Sequence, residues 1–345
     1  MNNENKLSSD EIALYDRQIR LWGMAAQARM RSTQVLLIGI GAIGQEIAKN
    51  IVLSGIGQLT LLDDRILTEE DLGSQFFVSK NEVSMKRLEA AGPRIADLNP
   101  RVTLHVDTDK LRAKNDEYFS KFDLIVGTEL IPADASWLND ATRRLNIPLY
   151  ITGSNGLSAY CFIDLIQFDS QDTKLQSQIP TKLGKVSKNR TITNIEIKED
   201  SNNNDKKQEI ITTRHIYKSF SELLKTFTFE GLHRRQIKRM SNMVPLTLAL
   251  LTIPEELNNE QLTIDQLKEY TLKVCNQGGL LKDILRDESI EQMVRQRNIE
   301  FSPVAAIMGG AVAQDVINIL GKKQSPLNNF IVFDGITLDM PIYEL

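Results

Sequence analysis

The sequence predicts an α/β protein with a doubly wound, Rossmann-like fold, a mostly parallel sheet and a mainly helical insertion. Residues 35–44, VLLIGIGAIG, have the pattern of a buried strand, a glycine-rich turn and a helix start, the usual opening of a nucleotide-binding domain. Short apolar strands then alternate with helical segments as far as residue 165, as in successive β-α-β units. Beyond that point the chain becomes polar and then helical, before an apolar helix and a last strand.

The N-terminal segment 8–22 is predicted to be one helix. Ser8 and Glu11 have the spacing of a capping box, and apolar residues recur at helical intervals. Gly23 interrupts this pattern, after which residues 24–31 can resume a helix. The next predicted elements are strands at 35–38, 59–62, 102–106, 123–126 and 149–151, an antiparallel strand at 158–165, and helices at 43–53 and 81–98.

The middle of the chain differs in composition from the part before it. Residues 167–207 are polar, and within them 201–207, SNNNDKK, predict a disordered loop. Helices dominate from 215 to 298. An apolar helix at 304–320 and a strand at 330–333 follow. We therefore expect an α/β domain formed by residues 1–165 plus 300–345, interrupted by an insertion, residues 166–299, that consists of a polar loop and then a helical subdomain.

Composition excludes several classes of function. The chain has 345 residues, of which 41% are hydrophobic and 25% charged, and its net charge of −4 argues against nucleic-acid binding. No apolar run approaches the ~20 residues that cross a bilayer, so no membrane association is expected. The only cysteines, Cys161 and Cys275, are too few for a disulfide framework or a zinc site. Their apolar and helical contexts do not favour a reactive thiol, and no metal site is expected.

The glycine motif formed by Gly39, Gly41 and Gly44 has two interpretations. It permits a tight turn and close approach of a phosphate to a helix N-terminus, and it also permits close packing of helix on strand. Asp63 ends the second strand, ~20 residues further on, where an acid holds a ribose hydroxyl in dinucleotide-binding domains. Aspartate is also common at strand ends. These residues alone leave nucleotide binding and packing open.

Arg17 lies on the N-terminal helix, ahead of the glycine turn. An arginine presented there can reach phosphates, either in its own pocket or in that of a neighbouring subunit. The alternative is an ordinary surface ion pair with Asp16 or Glu11. The spacing of these residues does not decide between the two.

Five blocks, in this order, resemble the ThiF-type adenylation fold of the enzymes that activate ubiquitin-like proteins. They are YDRQIRLWG at 15–23, the glycine turn, QFF at 75–77, LNP at 98–100 and SPVAA at 302–306. The resemblance covers roughly residues 10–165 and 300–335. Members of this family pair a competent adenylation half with a degenerate one. In length and motifs the chain is similar to the smaller, non-thioester subunits of the heterodimers that activate SUMO.

The chain departs from a competent half at the positions that hold nucleotide. Competent halves resemble Asp-x-Asp after the second strand, followed by Asn-x-x-Arg-Gln-Phe. Here the second aspartate is replaced by Arg65, the asparagine by Asp71 and the arginine by Ser74. The Leu-Asp-Asn motif after the fourth strand, whose aspartate orients magnesium, is replaced by TEL at 128–130. Lys86 and Arg87 keep some positive charge nearby.

These departures imply that the chain's own pocket binds ATP poorly or not at all, because triphosphate needs a metal and cationic donors. Gly39, Gly41, Gly44 and Asp63 would then be vestigial, with no cofactor held by this chain. In the family, the arginine of the YDRQ block in the degenerate half contacts the terminal phosphates of ATP in the competent half. The resemblance therefore assigns that role to Arg17, with Arg20 as a weaker second candidate.

The resemblance implies further that ATP and magnesium are held mainly by a larger partner subunit. That subunit would form the thioester with a SUMO-type modifier, and this chain would be part of a nuclear heterodimer without being catalytic alone. Two other functions stay open from the residues themselves. One is a nicotinamide-dependent oxidoreductase that uses the glycine turn and Asp63, and the other is a homodimeric adenylating enzyme for a sulfur-carrier protein.

Overall fold

A computed structural model of the chain describes residues 7–177, 180–200, 203–254, 262–281, 284–322 and 324–345. The strands are β1 Gln34–Ile38, β2 Gln58–Leu62, β3 Thr103–Asp107, β4 Leu124–Thr128, β5 Leu149–Asn155, β6 Ser158–Asp164, β7 Gln167–Leu175, β8 Gly184–Lys185, β9 Arg190–Asp200, β10 Asn203–Ile216, β11 Phe330–Asp334 and β12 Ile342–Tyr343. The helices are α1 Ser9–Leu14, α2 Asp16–Trp22, α3 Met24–Arg31, α4 Ala42–Leu53, α5 Arg87–Ala96, α6 Asp116–Phe119, α7 Pro132–Leu145, α8 Phe220–Thr226, α9 Arg234–Arg239, α10 Met243–Thr252, α11 Ile264–Gly278, α12 Asp287–Arg295 and α13 Ser302–Gly321.

The central sheet confirms the predicted doubly wound fold. Its order in the described residues is β12-β11-β6-β5-β4-β1-β2-β3. The five strands from β5 to β3 are parallel, with Val35 opposite Leu59 on one side and Leu124 on the other, and β6, β11 and β12 add to the edge antiparallel. Chain order reverses between β1 and β4, so a crevice opens at their carboxyl ends, where such folds bind ligands.

Both faces of this sheet are covered by helices, because its apolar strands must be buried on both sides. On one face α3, α4, α5 and α13 form a core with residues such as Ile47, Met308 and Leu37. On the other face α7 packs together with α8, α10, α11 and α12 in a single core. The helices between residues 220 and 295 therefore complete a layer of the main fold. The division into residues 1–165 plus 300–345 and 166–299 stays a prediction.

The segment expected to be a polar loop is instead a second, antiparallel sheet of order β7-β10-β9-β8. In the second half of β9, Ile195 and Ile197 alternate with Glu196 and Lys198, and this alternation has the period of a strand despite the overall polarity of the segment. β10 pairs along its length with β7 and β9. Of the loop expected at 201–207, residues 201 and 202 lie outside the described residues, and β10 begins at Asn203.

Two predicted helices have different limits in the structure. The capping box of Ser8 and Glu11 is confirmed, but the N-terminal segment forms two helices that meet at Tyr15. α5 begins at Arg87 rather than at residue 81, because Lys86 pairs with Ile66 in an isolated β-bridge.

The helix α13 is more apolar than the sequence reading allowed for. It has 20 residues, and its most apolar 18-residue window has a mean hydropathy of 1.5, so it could cross a membrane by length and composition, contrary to the expectation that no run approached that length. However, 67% of its most apolar window is buried, mainly against α4 and the sheet, as in a core helix. The helices approach closely at Gly309, where a Cβ would lie 2.6 Å from that of Glu46.

Candidate functional site

A cavity of about 790 Å³ opens at the carboxyl ends of β2, β4 and β5, in the crevice where the chain order reverses. We call it the glycine-turn pocket, because its lining residues Glu129 and Glu300 lie against the turn between β1 and α4. Its charged lining residues come from distant parts of the chain and include Arg65, Asp71, Arg87, Glu129 and Glu300.

Two of the three motif glycines serve packing. Gly39 has a φ of +84°, and a Cβ there would lie 2.5 Å from the hydroxyl of Thr128. A Cβ at Gly44 would overlap the carbonyl of Gly39. These two positions therefore require glycine so that the turn can form and α4 can lie against β1 and β4. The packing interpretation of the motif holds for Gly39 and Gly44.

Gly41 is next to an internal carboxylate. The backbone N–H of Ala42, at the start of α4, donates to Glu300 Oε1 at 2.9 Å. Ser74 Oγ and Gln75 Nε2 donate to the other oxygen of Glu300, at 2.6 and 3.2 Å. A Cβ at Gly41 would overlap the carboxylates of both Glu300 and Glu129. Glu300 thus lies at the helix N-terminus where a glycine turn of this type holds phosphate.

Arg65 lies between two acids. Its guanidinium donates to Asp63 Oδ2 and to Glu129 Oε2, each at 2.9 Å. Asp63 also accepts the N–H of Ile40 at 2.8 Å, so its carboxylate is fully engaged. Burial raises the pKa of Asp63, but the charge and hydrogen bonds of Arg65 and the Ile40 N–H outweigh this and lower it. Asp63 therefore fixes the turn and Arg65, and its oxygens do not face a ribose.

Arg87 and Lys86, the cations near the family's lysine position, also bind groups of this chain. Arg87 forms a buried ion pair with Asp71, which also accepts hydrogen bonds from Gln75 and Thr68. Lys86 donates through Nζ to the carbonyl of Asp64. Ser74, at the position of the family's phosphate-binding arginine, donates to an acid instead. Arg65 and Arg87 are thus each paired with an internal acid, and the acid at the start of α4 does not fit magnesium-bound triphosphate.

Glu129 and Glu300 have pKa values that move in opposite directions. Burial, and then a hydrogen bond with Glu300, raise the pKa of Glu129 to about 8 despite the opposing charge of Arg65. Burial also acts to raise the pKa of Glu300, but hydrogen bonds from Glu129, Ser74, Ala42 and Gln75 outweigh it and lower the value to about 2. At neutral pH Glu129 is therefore protonated and Glu300 ionised.

Arg17 lies outside this pocket, on α2, and is exposed. Both acids that could have paired with it are engaged elsewhere, because Asp16 pairs with Arg20 at 3.0 Å and Glu11 pairs with Arg31 at 3.0 Å. Within the described ranges, no hydrogen bond or ion pair holds the Arg17 guanidinium. The ordinary surface-pair interpretation of Arg17 is therefore not what the structure contains.

The helix α2 lies at the end of α4 that is remote from the glycine turn. Gln18 donates to the carbonyl of Leu53, and the Tyr15 ring packs against Gly55, both at the C-terminal end of α4. Since α4 has 12 residues, its two ends are about 18 Å apart at 1.5 Å per residue. One side chain does not span that distance, so Arg17 does not reach the chain's own glycine turn.

Exposed apolar side chains lie near Arg17 in the chain. Leu14, Leu21 and Met24 are 59%, 72% and 49% exposed, and they lie on α1, α2 and α3 close to Arg17 in the chain. Neighbouring exposed apolar side chains of this size are typical of protein contact surfaces. We call Leu14, Arg17, Leu21 and Met24 the N-terminal face.

Neither cysteine is available as a nucleophile in this conformation. Cys161 on β6 and Cys275 on α11 are both buried. Burial raises the pKa of the Cys161 thiol well above its usual value and that of Cys275 to about 11. Both thiols therefore stay protonated at neutral pH.

Sequence reasoning found the altered positions Arg65 and Ser74 but missed what they bind. Glu300 was not singled out, because it lies 171 residues after Glu129 in the chain (300 − 129) and belongs to no local motif. Glu129 was noted only as part of the segment that replaces the magnesium motif. The signal that could have found it was an acid directly after β4, at the edge of the sheet where Asp63 also lies.

Comparisons with known proteins agree with this architecture. The model of the ThiF family matches residues 15–345. The chain is 54% identical over 340 residues to the DNA damage tolerance protein RHC31 of Saccharomyces cerevisiae, with 98% of each chain covered. It is 31% identical to the DNA damage tolerance protein rad31 of Schizosaccharomyces pombe over the full length of both, and 31% identical to the SUMO-activating enzyme subunit 1 of Homo sapiens, with 95% and 93% covered. Because the family model matches nearly the whole chain, this chain belongs to the ThiF family.

Proposed function

We propose that this chain is the smaller subunit of a SUMO-activating heterodimer. In this role it completes the adenylation site of a larger subunit with Arg17 and holds no triphosphate itself. The near full-length similarity to proteins named SUMO-activating enzyme subunit 1 supports the assignment to that complex. The nucleus is the proposed location, since the activated modifier class implies it.

The observation that best supports the role of Arg17 is its position. It is exposed, it lacks an ion-pair partner among the described residues, and about 18 Å separate its end of α4 from the glycine turn. An arginine in this position can act only on a molecule outside its own subunit. The apolar side chains of the N-terminal face support a partner protein at the same surface.

The proposed chemistry is adenylation of the modifier. Its terminal carboxylate attacks the α-phosphate of ATP, which is held with magnesium by the larger subunit, and pyrophosphate leaves. A cysteine of that subunit then attacks the adenylate and releases AMP. Arg17 would stabilise the charge that develops on the leaving pyrophosphate, as a guanidinium donates to two phosphate oxygens at once. Arg20, already paired with Asp16, would contribute less.

The chain's own pocket is proposed to be structural. Glu300 lies at the N-terminus of α4, and Arg65 and Arg87 are paired with internal acids. The same contacts weigh against the two alternatives. A nicotinamide cofactor would need Asp63 and the turn, and a homodimeric adenylating enzyme would need two competent pockets.

The test is pyrophosphate exchange by the reconstituted heterodimer. Arg17→Ala is expected to lower the exchange rate by roughly 10²–10³-fold, as when other charge-stabilising donors are removed. Arg17→Lys should recover part of the rate, because it restores the charge without the forked geometry. Arg144→Ala, which removes an exposed arginine paired with Asp116 on the other side of the fold, is the control.

Size-exclusion chromatography would show that each variant still forms the heterodimer. A near wild-type exchange rate for Arg17→Ala in an intact heterodimer would contradict the role of Arg17. That result would not contradict the proposal that this chain is a subunit of the heterodimer.

A further inference from the structure

The geometry points to a proton shared by two carboxyl groups that line the glycine-turn pocket. We propose that one proton, held on Glu129 and shared with Glu300, keeps the two carboxyl groups together over Gly41. Loss of that proton places two anions side by side and loosens the contact. This regulatory feature is a property of the single chain, and its test is independent of the proposed role of Arg17.

Three of the four carboxylate oxygens of Glu129 and Glu300 accept hydrogen bonds from other residues, and the fourth does not. Glu300 Oε1 accepts from Ala42 N, and Glu300 Oε2 accepts from Ser74 and Gln75. Glu129 Oε2 accepts from Arg65. Glu129 Oε1 is buried, and no N–H or O–H of the described residues donates to it. It lies beside Glu300 over Gly41, where both carboxylates meet the position of a Cβ.

Two ionised carboxylates have only acceptor atoms, so they repel each other at this distance. A single proton changes a repulsive contact into a hydrogen bond and satisfies Glu129 Oε1. The proton belongs on Glu129 for a structural reason. Glu300 accepts from three donors that stabilise its anion, whereas Glu129 shares its only cation, Arg65, with Asp63. The pKa directions agree with this assignment.

Arg65 is the cation that donates to Glu129, and the other charged groups around the pair come from several segments. Asp63 and Arg65 approach from the end of β2, and Glu70 and Asp71 line the pocket from the segment before α5. Arg87 from α5 is paired with Asp71. Arg297, from the segment before α13, also lines the pocket, and burial lowers its pKa. Tyr160 on β6 also lines the pocket and stays neutral, since burial raises its pKa. A deprotonated pair would leave three carboxylates around Arg65.

The sign of the pH dependence follows from linkage. The folded chain holds the Glu129 proton up to about pH 8, whereas an unfolded chain releases it near pH 4.5. Between these values the folded state binds one proton more than the unfolded state, so stability falls as pH rises. Below about pH 4.5 Glu300 has the opposite effect on stability. Its folded pKa is lowered to about 2, so stability falls as pH falls between these values.

The test compares the full chain with Glu129→Gln. The glutamine amide donates permanently to Glu300 and does not titrate, so it imitates the protonated acid. The unfolding equilibrium constant of the wild type, divided by that of E129Q, is expected to rise by about tenfold per pH unit within this window and to level off above it. Denaturant melts at a series of pH values measure this ratio. Glu288→Gln, an exposed glutamate, is the control and should keep the wild-type profile.

A second measurement does not depend on unfolding. Infrared difference spectra should contain the C=O band of a protonated carboxyl group that disappears around pH 8 and is absent in E129Q. Glu300→Gln should also remove the band, because its amide donates to ionised Glu129 and makes the proton unnecessary. Parallel pH profiles for wild type and E129Q, or a band that persists in E129Q, would overturn the proposal.

Discussion

Arg65 lies in the glycine-turn pocket between Asp63 and Glu129, whereas Arg17 lies exposed on α2 with no ion-pair partner in the described part of the chain. The two regions contain the same kind of cation in opposite surroundings. In the pocket, the guanidinium groups of Arg65 and Arg87 each meet an internal carboxylate. On the N-terminal face, the acids beside Arg17 are paired with other arginines and leave it available.

The difference shows that a fold of the nucleotide-binding type can contain a pocket in which charged groups pair internally. The glycine turn, the strand order and a cavity of about 790 Å³ are present. The carboxylate of Glu300, however, lies at the N-terminus of α4 and accepts a hydrogen bond from Ser74. Attraction for a polyanion depends on those groups, and the fold depends on the glycines and the apolar strands.

The strongest test of this difference between the pocket and the N-terminal face is to measure ATP binding by the isolated chain. We expect no calorimetric isotherm with magnesium and ATP, because Glu129 and Glu300 occupy the turn and Arg65 and Arg87 are neutralised. The reconstituted heterodimer, measured under the same conditions, is the positive control. Saturable binding to the isolated chain would mean that the pocket is still a nucleotide site.

The next largest effect is expected at Arg65. Arg65→Met keeps most of the side-chain length but leaves Asp63 and Glu129 without their cation, which should lower the free energy of unfolding by about 3 kcal/mol. Urea melts at neutral pH measure the change. Arg144→Met removes an exposed pair and should change stability by less than about 0.5 kcal/mol. Equal effects of the two substitutions would show that the Arg65 contacts add little stability.

The smallest expected effect concerns the N-terminal face. Leu21 is 72% exposed, so Leu21→Ser should leave the isolated chain within about 0.5 kcal/mol of wild type. If the face binds the larger subunit, the same change should weaken the heterodimer by about 1–2 kcal/mol, as for an apolar side chain buried at an interface. Titration of the larger subunit measures the affinity. Leu183→Ser, at a leucine that is 65% exposed directly before β8, is the matched control.

An unchanged affinity for Leu21→Ser, or an equal loss for Leu183→Ser, would place the contact elsewhere. The role of Arg17 would then have to be explained with a different surface of the dimer. A loss of affinity for Leu21→Ser alone would indicate that the apolar residues and Arg17 belong to the same contact surface.

Local sequence pattern was sufficient to predict the elements whose structure is determined by nearby residues. The strands of the main sheet other than β12, the glycine turn and the capping box of Ser8 and Glu11 all lie close to their predicted positions. Local pattern failed in the segment after residue 166, where overall polarity concealed the strand period of β9 and β10. Those strands are stabilised by pairing with one another, which composition does not express.

The sequence by itself determined the α/β fold, the serine at position 74, where the family motif has arginine, and the presence of Arg17 ahead of the glycine turn. Only the tertiary structure decided which charges meet. It brought Glu300 to the N-terminus of α4 beside Glu129, and it placed Arg17 at the opposite end of that helix. Fold is specified by short-range periodicity, whereas electrostatic contacts join residues that are far apart in the chain and depend on how the whole molecule packs.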